Sequence, residues 1–215
     1  DRWPVVDLRV EQLHFGDVAL GHLRARGAPF GRGYRLERLQ LEGGPMRVQA
    51  DGEWRTGADE HTRFQYALDA DDLGRASTVL GQPGQVEGGR GTASGDLNWA
   101  GPPWAYSLET LDGHLQVELR DGRLVQVEPG AGRLVGLLNV ALLPRRLMLN
   151  FSDVVDQGFA FDVIRADLEL EQGVVEPREL MMTGPSARVD VQGRLDLVKG
   201  HYDQVLVVAP RTSGA

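Results

Sequence analysis

The chain has 215 residues, with 28 Gly, 11 Pro and no Cys, and 31 acidic against 23 basic side chains give a formal charge of -8. The lack of cysteine excludes disulfide scaffolds, thiolate zinc sites, thiol nucleophiles and redox pairs. The acidic balance argues against a nucleic-acid partner, which needs Lys and Arg gathered on one face to displace counterions from phosphates. Lys199 is the single lysine, and the remaining 22 cations are arginines. A hydrophobic content of 41% supplies a core for one or two domains.

In chain order, the first turn signal is Gly43-Gly44-Pro45. Phe64, Tyr66, Leu68 and Ala70 then alternate with Gln65, Ala67 and Asp69, the period of two that marks a half-buried strand. Alternation stops over residues 71–80, where Asp72 is placed to cap a short helical turn. The period of two returns at Leu115, Val117 and Leu119, flanked by Asp112-Gly113 and Asp121-Gly122, which read as turns. Over residues 132–143, Leu134, Leu137, Leu138 and Ala141 fall at helical spacing and Pro144 stops the run, so a helical insertion is expected within residues 129–146. Its apolar window is far shorter than the roughly 18–20 residues a membrane-spanning helix needs.

Alternation resumes at Leu147, Leu149 and Phe151, then at Phe159 and Phe161, Leu168 and Leu170, Val189 and Val191, Leu195 and Leu197, and Val205 and Val207. Gly184-Pro185 marks a further turn. Strands with one polar face joined by short turns make consecutive antiparallel hairpins; parallel βαβ units are not supported. A weak repeat runs through Ala50-Asp51-Gly52-Glu53-Trp54, Ala93-Ser94-Gly95-Asp96-Leu97 and Val191-Gln192-Gly193-Arg194-Leu195. Each copy is expected to open a strand pair whose second strand is Phe64 to Ala70, Tyr106 to Leu108 or Val205 to Val207. Repeated hairpins that cannot bury their own apolar faces favour an extended, curved antiparallel sheet. The organisation expected is repeated hairpins over 1–128, the insertion at 129–146, and C-terminal hairpins over 147–210.

Catalytic constellations are lacking. The five histidines, His14, His22, His61, His114 and His201, show neither the i, i+4 nor the H-x-H spacing that puts two imidazoles on one face, so no metal site is expected. Asp153, Asp156 and Asp162 fail the spacing of a calcium loop, and Asp153 and Asp156 suit turn chemistry. Gly130 to Gly136 and Gly88-Gly89-Arg90-Gly91 match no nucleotide fingerprint, and Ser94 and Ser186 sit in no nucleophile elbow. Neither catalysis nor a cofactor is expected. What remains is an apolar face along many strands that a helix, a second sheet or a ligand must cover.

The strings Leu142-Leu143-Pro144-Arg145-Arg146-Leu147-Met148-Leu149-Asn150-Phe151-Ser152-Asp153-Val154 and Gly158-Phe159-Ala160-Phe161-Asp162 resemble the C-terminal region of the YhdP family. Pro129-Gly130-Ala131-Gly132-Arg133-Leu134, Gly184-Pro185-Ser186-Ala187-Arg188-Val189 and Leu97-Asn98-Trp99-Ala100-Gly101-Pro102 are similar to the same family, and the likeness spreads over nearly the whole chain. The resemblance implies an AsmA-like envelope protein of Gram-negative bacteria, anchored in the inner membrane and crossing the periplasm. It also implies a long curved sheet with a hydrophobic groove that moves phospholipids between the membranes, and no catalytic residues. The chain begins with Asp1 and carries no anchor, so it is expected to be a fragment, with membrane contact through regions outside it or at its ends.

The residues expected to line the groove and meet phospholipid acyl chains are Phe64, Tyr66, Leu68, Leu147, Leu149, Phe151, Phe159, Phe161, Val189, Val191, Leu195, Val205 and Val207. Two rival readings stand beside this one. The first is a non-transporting envelope scaffold with a closed β core that binds protein partners. The second is a carbohydrate-active domain using Asp153, Asp156 or a platform of Trp54, Trp99 and Trp104.

Overall fold

The computed structural model describes residues 3–80, 83–125 and 159–211. The period-two segments build one open, curved sheet of eleven strands in which every strand pairs antiparallel with its neighbour in sequence. The strands are β1 (Val6–Phe15), β2 (Val18–Phe30), β3 (Gly33–Gly43), β4 (Met46–Arg55), β5 (His61–Ala70), β6 (Val86–Ala100), β7 (Asp112–Leu124), β8 (Phe159–Glu171), β9 (Val174–Thr183), β10 (Ala187–Asp196) and β11 (His201–Pro210). β1 and β11 are the two edges. The expected insertion at 129–146 and the strand of Leu147, Leu149 and Phe151 lie outside the described residues.

The helical turn expected at 71–80 is α1 (Leu73–Val79). Asp72 sits in extended geometry and its carboxylate accepts from the Arg75 amide at 3.1 Å, satisfying one of the donors a helix start leaves free. α1 buries Leu73 and Ala76 against the apolar side of β6, where Gly89 and Gly91 leave room for the Leu73 methyls. A side chain at either glycine would press on Leu73.

One turn signal has another role. Asp112-Gly113 opens β7, as a flanking turn signal should, whereas Asp121-Gly122 lies inside it. Asp121 adopts φ +57°, and its partners in the neighbouring strands also drop out of the ladder. On one side Gly88 pairs with Gly122 and Arg90 with Arg120, skipping Gly89. On the other, Arg120 pairs with Val163 and Gly122 with Phe161, skipping Asp162. The register on both sides of the gap is unchanged, so three strands kink together along one transverse line. Asp-Gly supplies the left-handed backbone that the kink needs, the same property that makes the pair common in turns.

The repeat is placed as expected in two of its three copies. Each copy lies in the first strand of a hairpin, β4–β5, β6–β7 or β10–β11, and the first and third meet the expected second strands. Residues 106–108 form no strand; they lead into a 3-10 turn at Leu108–Thr110, and the strand that follows β6 is β7. In each copy the central glycine faces a backbone carbonyl of the next strand, Arg63 for Gly52, His114 for Gly95 and Asp203 for Gly193, and a Cβ would collide with it. The repeat therefore records close strand approach. Gly95→Ala is expected to lower stability by about 1–3 kcal/mol, the usual cost of forcing atoms into a filled site, read as a lower urea midpoint.

Candidate functional site

Cross-strand pairing carries one face of the sheet across all eleven strands. A single transverse row runs Val6, Gly27, Leu36, Gly52, Phe64, Leu97, Gly113, Leu170, Val175, Leu195 and Tyr202, each paired with the next. A second row, six residues away on β4, runs Met46, Ala70, Gly91, Leu119, Ile164, Met182, Val189 and Val208. Between them lie Tyr66 beside Gly95 and Leu115, and Leu68 beside Ala93 and Val117. No charged side chain interrupts these rows. Ten strand spacings of about 4.8 Å make this apolar face roughly 48 Å long across the strands.

The residues expected to line the groove divide three ways. Phe64, Tyr66, Leu68, Val189, Val191 and Leu195 share this face, joined by Phe159 and Phe161 beyond the kink. Phe161 packs its ring over Gly122. Leu147, Leu149 and Phe151 lie outside the described residues, as do Asp153 and Asp156. Val205 and Val207 require correction: Leu195 pairs with Tyr202, so parity brings Leu206 and Val208 inward and turns Val205 and Val207 to the outer face, opposite Gln192 and Asp190. Their exposures of 62% and 52% agree. The run Val205 to Val208 is apolar at every position, so alternation within it is silent; counting back from the β10–β11 turn would have fixed the phase.

Several residues of this face were not singled out, among them Leu36, Val48, Leu97, Leu115, Leu119, Ile164 and Met182. Some follow simple alternation. Others sit where a strand changes phase. β3 steps from Leu36 to Leu39 and β9 from Pro177 to Leu180, each across a β-bulge seen by both neighbouring strands.

The outer face carries the charge. On β7 and β8, Glu118 accepts from Arg165 at 2.9 Å and from Arg120 at 2.6 Å. Asp167 bonds His114 Nε2 at 2.8 Å and Gln116 Nε2 at 3.2 Å. On β10, Arg188 holds Asp190 through two bonds. These partners keep the carboxyls of Glu118, Asp167 and Asp190 below their ordinary range, led by Arg165, His114 and Arg188 respectively. Asp162, the third carboxylate of the rejected calcium-loop spacing, lies on β8 with Arg211 at 3.5 Å. Among the described residues no three His, Asp or Glu side chains converge as metal ligands, and no helix is long and apolar enough to cross a membrane.

Trp54 and Trp99 pair with Thr62 from either side, so both continue the apolar face to one end of the strands. Both rings are nearly buried and fixed by their own N–H groups, Trp54 to Glu60 at 3.0 Å and Trp99 to the Pro102 carbonyl at 3.1 Å. Trp104 packs edge-on against Trp54 with centroids 5.0 Å apart. The three tryptophans considered as a platform thus gather at one margin of the apolar face, and α1 lies at the opposite one.

The model of the YhdP protein family matches residues 1–215. The intermembrane phospholipid transporter YhdP of Escherichia coli (strain K12) is 28% identical to this chain over 213 residues. That alignment covers 98% of the chain and 17% of the relative, so the chain spans about one sixth of that protein's length. No solved structure matches.

Two outcomes test the assignment of faces. Val207→Asp should change stability by no more than about 0.5 kcal/mol, as for an ordinary surface position, whereas Leu206→Asp should be clearly destabilising by the same urea titration. Asp167→Asn tests the outer ladder. A carboxylate with a depressed folded pKa stabilises above its unfolded value near 3.9, and that contribution is lost as pH falls through the folded pKa. The variant should therefore be less stable at neutral pH and show a shallower loss below about pH 4.

Proposed function

Because the chain belongs to the YhdP family along its whole length, we propose that its apolar face is a segment of a trough that holds phospholipid acyl chains between the inner and outer membranes. In this reading the chain is a periplasmic part of an inner-membrane-anchored protein, and it meets the membranes and any envelope protein partners through regions at its ends or beyond it. The observation that carries the reading is the uncharged row from Val6 to Tyr202, unbroken across eleven strands. No second sheet covers this strip among the described residues.

The energetics suit transport. Each methylene withdrawn from water contributes about 0.8 kcal/mol, so a dozen give about 10 kcal/mol. That is enough to keep an acyl chain out of solution. Successive strands offer similar apolar rows, so moving a chain by one strand spacing of about 4.8 Å exchanges one set of contacts for a like set. Affinity is then high relative to water and nearly level along the trough. No bond is made or broken, and no cofactor enters.

The test is a photocrosslinking residue at Leu115, on the apolar face, and separately at Gln116, on the outer face, in the intact protein in cells. Capture of phospholipid at Leu115 and not at Gln116 is expected. Equal capture at both, or capture of protein alone at Leu115 in a folded variant, would favour the scaffold reading and remove this one.

A further inference from the structure

All four tryptophans of the chain stand at one end of the strands. Trp3 packs edge-on against Trp54 at 5.3 Å, Trp54 against Trp104 at 5.0 Å, and Trp99 lies 5.7 Å from Phe64 on the apolar face. The other end of the same strands has α1, and its exposed large apolar side chains are Phe15 and Leu80, neither of which carries a polar atom. The two margins are therefore chemically unlike: one carries the short aliphatic helix α1 against β6, the other is lined with indoles.

The indoles also differ among themselves. Trp54 and Trp99 are buried and spend their N–H groups within the chain. Trp3 and Trp104 are exposed by 47% and 69%, and among the described residues their N–H groups donate to nothing. The fixed ring of Trp54 thus carries two outward rings whose donors are unspent. An indole that presents an apolar face to one side and a donor to the other suits the boundary between acyl chains and head groups, where tryptophan gathers in membrane proteins.

We propose that the cluster of Trp3, Trp54 and Trp104 is the subsite for the glycerophosphate portion of a diacyl phospholipid whose chains lie in the trough. The inference rests on the reading of the trough given above. The outward rings of Trp3 and Trp104, held by Trp54, meet the first methylenes, and their N–H groups donate to ester carbonyl or phosphate oxygens. Lipids in this segment are consequently aligned, with every head group emerging at the tryptophan margin and the acyl ends directed toward α1. Because the ring contacts are apolar and the donors meet atoms common to all phospholipids, the subsite reads the glycerophosphate and is indifferent to the alcohol beyond it.

The experiment uses the purified intact protein with vesicles of phosphatidylethanolamine and phosphatidylglycerol containing one of two probes. One phospholipid has a diazirine on the head group and the other has it at the end of an acyl chain; labelled peptides are mapped by mass spectrometry. The expected result is head-group labelling within residues 99–106 and acyl labelling on the apolar face of β5 to β8. The double variant Trp3→Phe, Trp104→Phe keeps two rings and removes two donors. It should lower head-group labelling about five- to 150-fold, the range for losing two hydrogen bonds, with acyl labelling and thermal melting retained. Head-group labelling centred on residues 72–80, or undiminished labelling in the double variant, overturns this proposal while leaving the trough intact. Failure of the acyl probe to label the apolar face in the unsubstituted protein overturns both.

Discussion

Parity is the constraint on which the structure depends. A β-strand turns successive side chains to opposite faces, so a slip of one residue in any of the ten pairings would expose the apolar set of every later strand. The chain holds parity by long ladders of constant register. From β4 to β8 four successive pairings keep one register from end to end, which carries Phe64, Leu97, Gly113 and Leu170 along one line. Charge enforces the same choice from the other side. Pairs such as Glu118 with Arg165 and Asp167 with His114 form only if β7 and β8 keep the register that also aligns Leu115 with Leu168. Each exposed pair contributes little to stability, but together they penalise the slipped alternatives.

Where the sheet must bend, parity is repaired rather than lost. β3 and β9 each take in one extra residue, and the apolar side chains on either side, Leu36 and Leu39 or Pro177 and Leu180, return to the same face. β6, β7 and β8 solve the problem collectively. They reverse phase on one transverse line at Gly89, Asp121 and Asp162, so that Leu119 and Leu124 both join the core with Phe161 and Ile164. α1 rests against this line through Leu73, one of the close neighbours, with the Arg120 carbonyl at Gly89 and the Leu119 side chain at Gly91, that leave no room for a side chain there. Bulges and left-handed residues of this kind increase local twist and bend a sheet about its strands.

Much of this was legible in the sequence. Alternation at Phe64 to Ala70 and at Leu115 to Leu119 gave strands and faces directly, and loss of alternation after Asp72 gave the capped helix. The misreadings share one cause, that a local signal has more than one structural use. Asp121-Gly122 has the backbone freedom of a turn, but with a pairing partner on each side it makes a kink inside β7. The recurring Gly52, Gly95 and Gly193 mark places where a neighbouring carbonyl comes too close for a side chain, a tertiary fact with no local trace. Val205 to Val208 reads as a strand but not as a face, because only the pairing of Leu195 with Tyr202 sets its phase. The tryptophans are scattered at positions 3, 54, 99 and 104, and no spacing rule brings them together. Their convergence follows from strand ends meeting at one margin.

The same geometry separates two requirements that a lipid conduit must meet. The rows across the strands are nearly uniform, because each position is an aliphatic side chain, an aromatic ring or glycine, and uniformity is what permits translation without deep wells. Along the strands the face is graded instead, from the tight packing of α1 against β6 at one margin to unspent indole donors at the other. In the reading proposed above, a molecule with two apolar tails and a polar end is held level in the first direction and oriented in the second. A closed barrel or a sandwich satisfies its apolar face in both directions and leaves neither freedom. An open antiparallel sheet with one capped margin keeps both, and its cost is two edges, β1 and β11, whose backbone groups face no neighbour within this sheet.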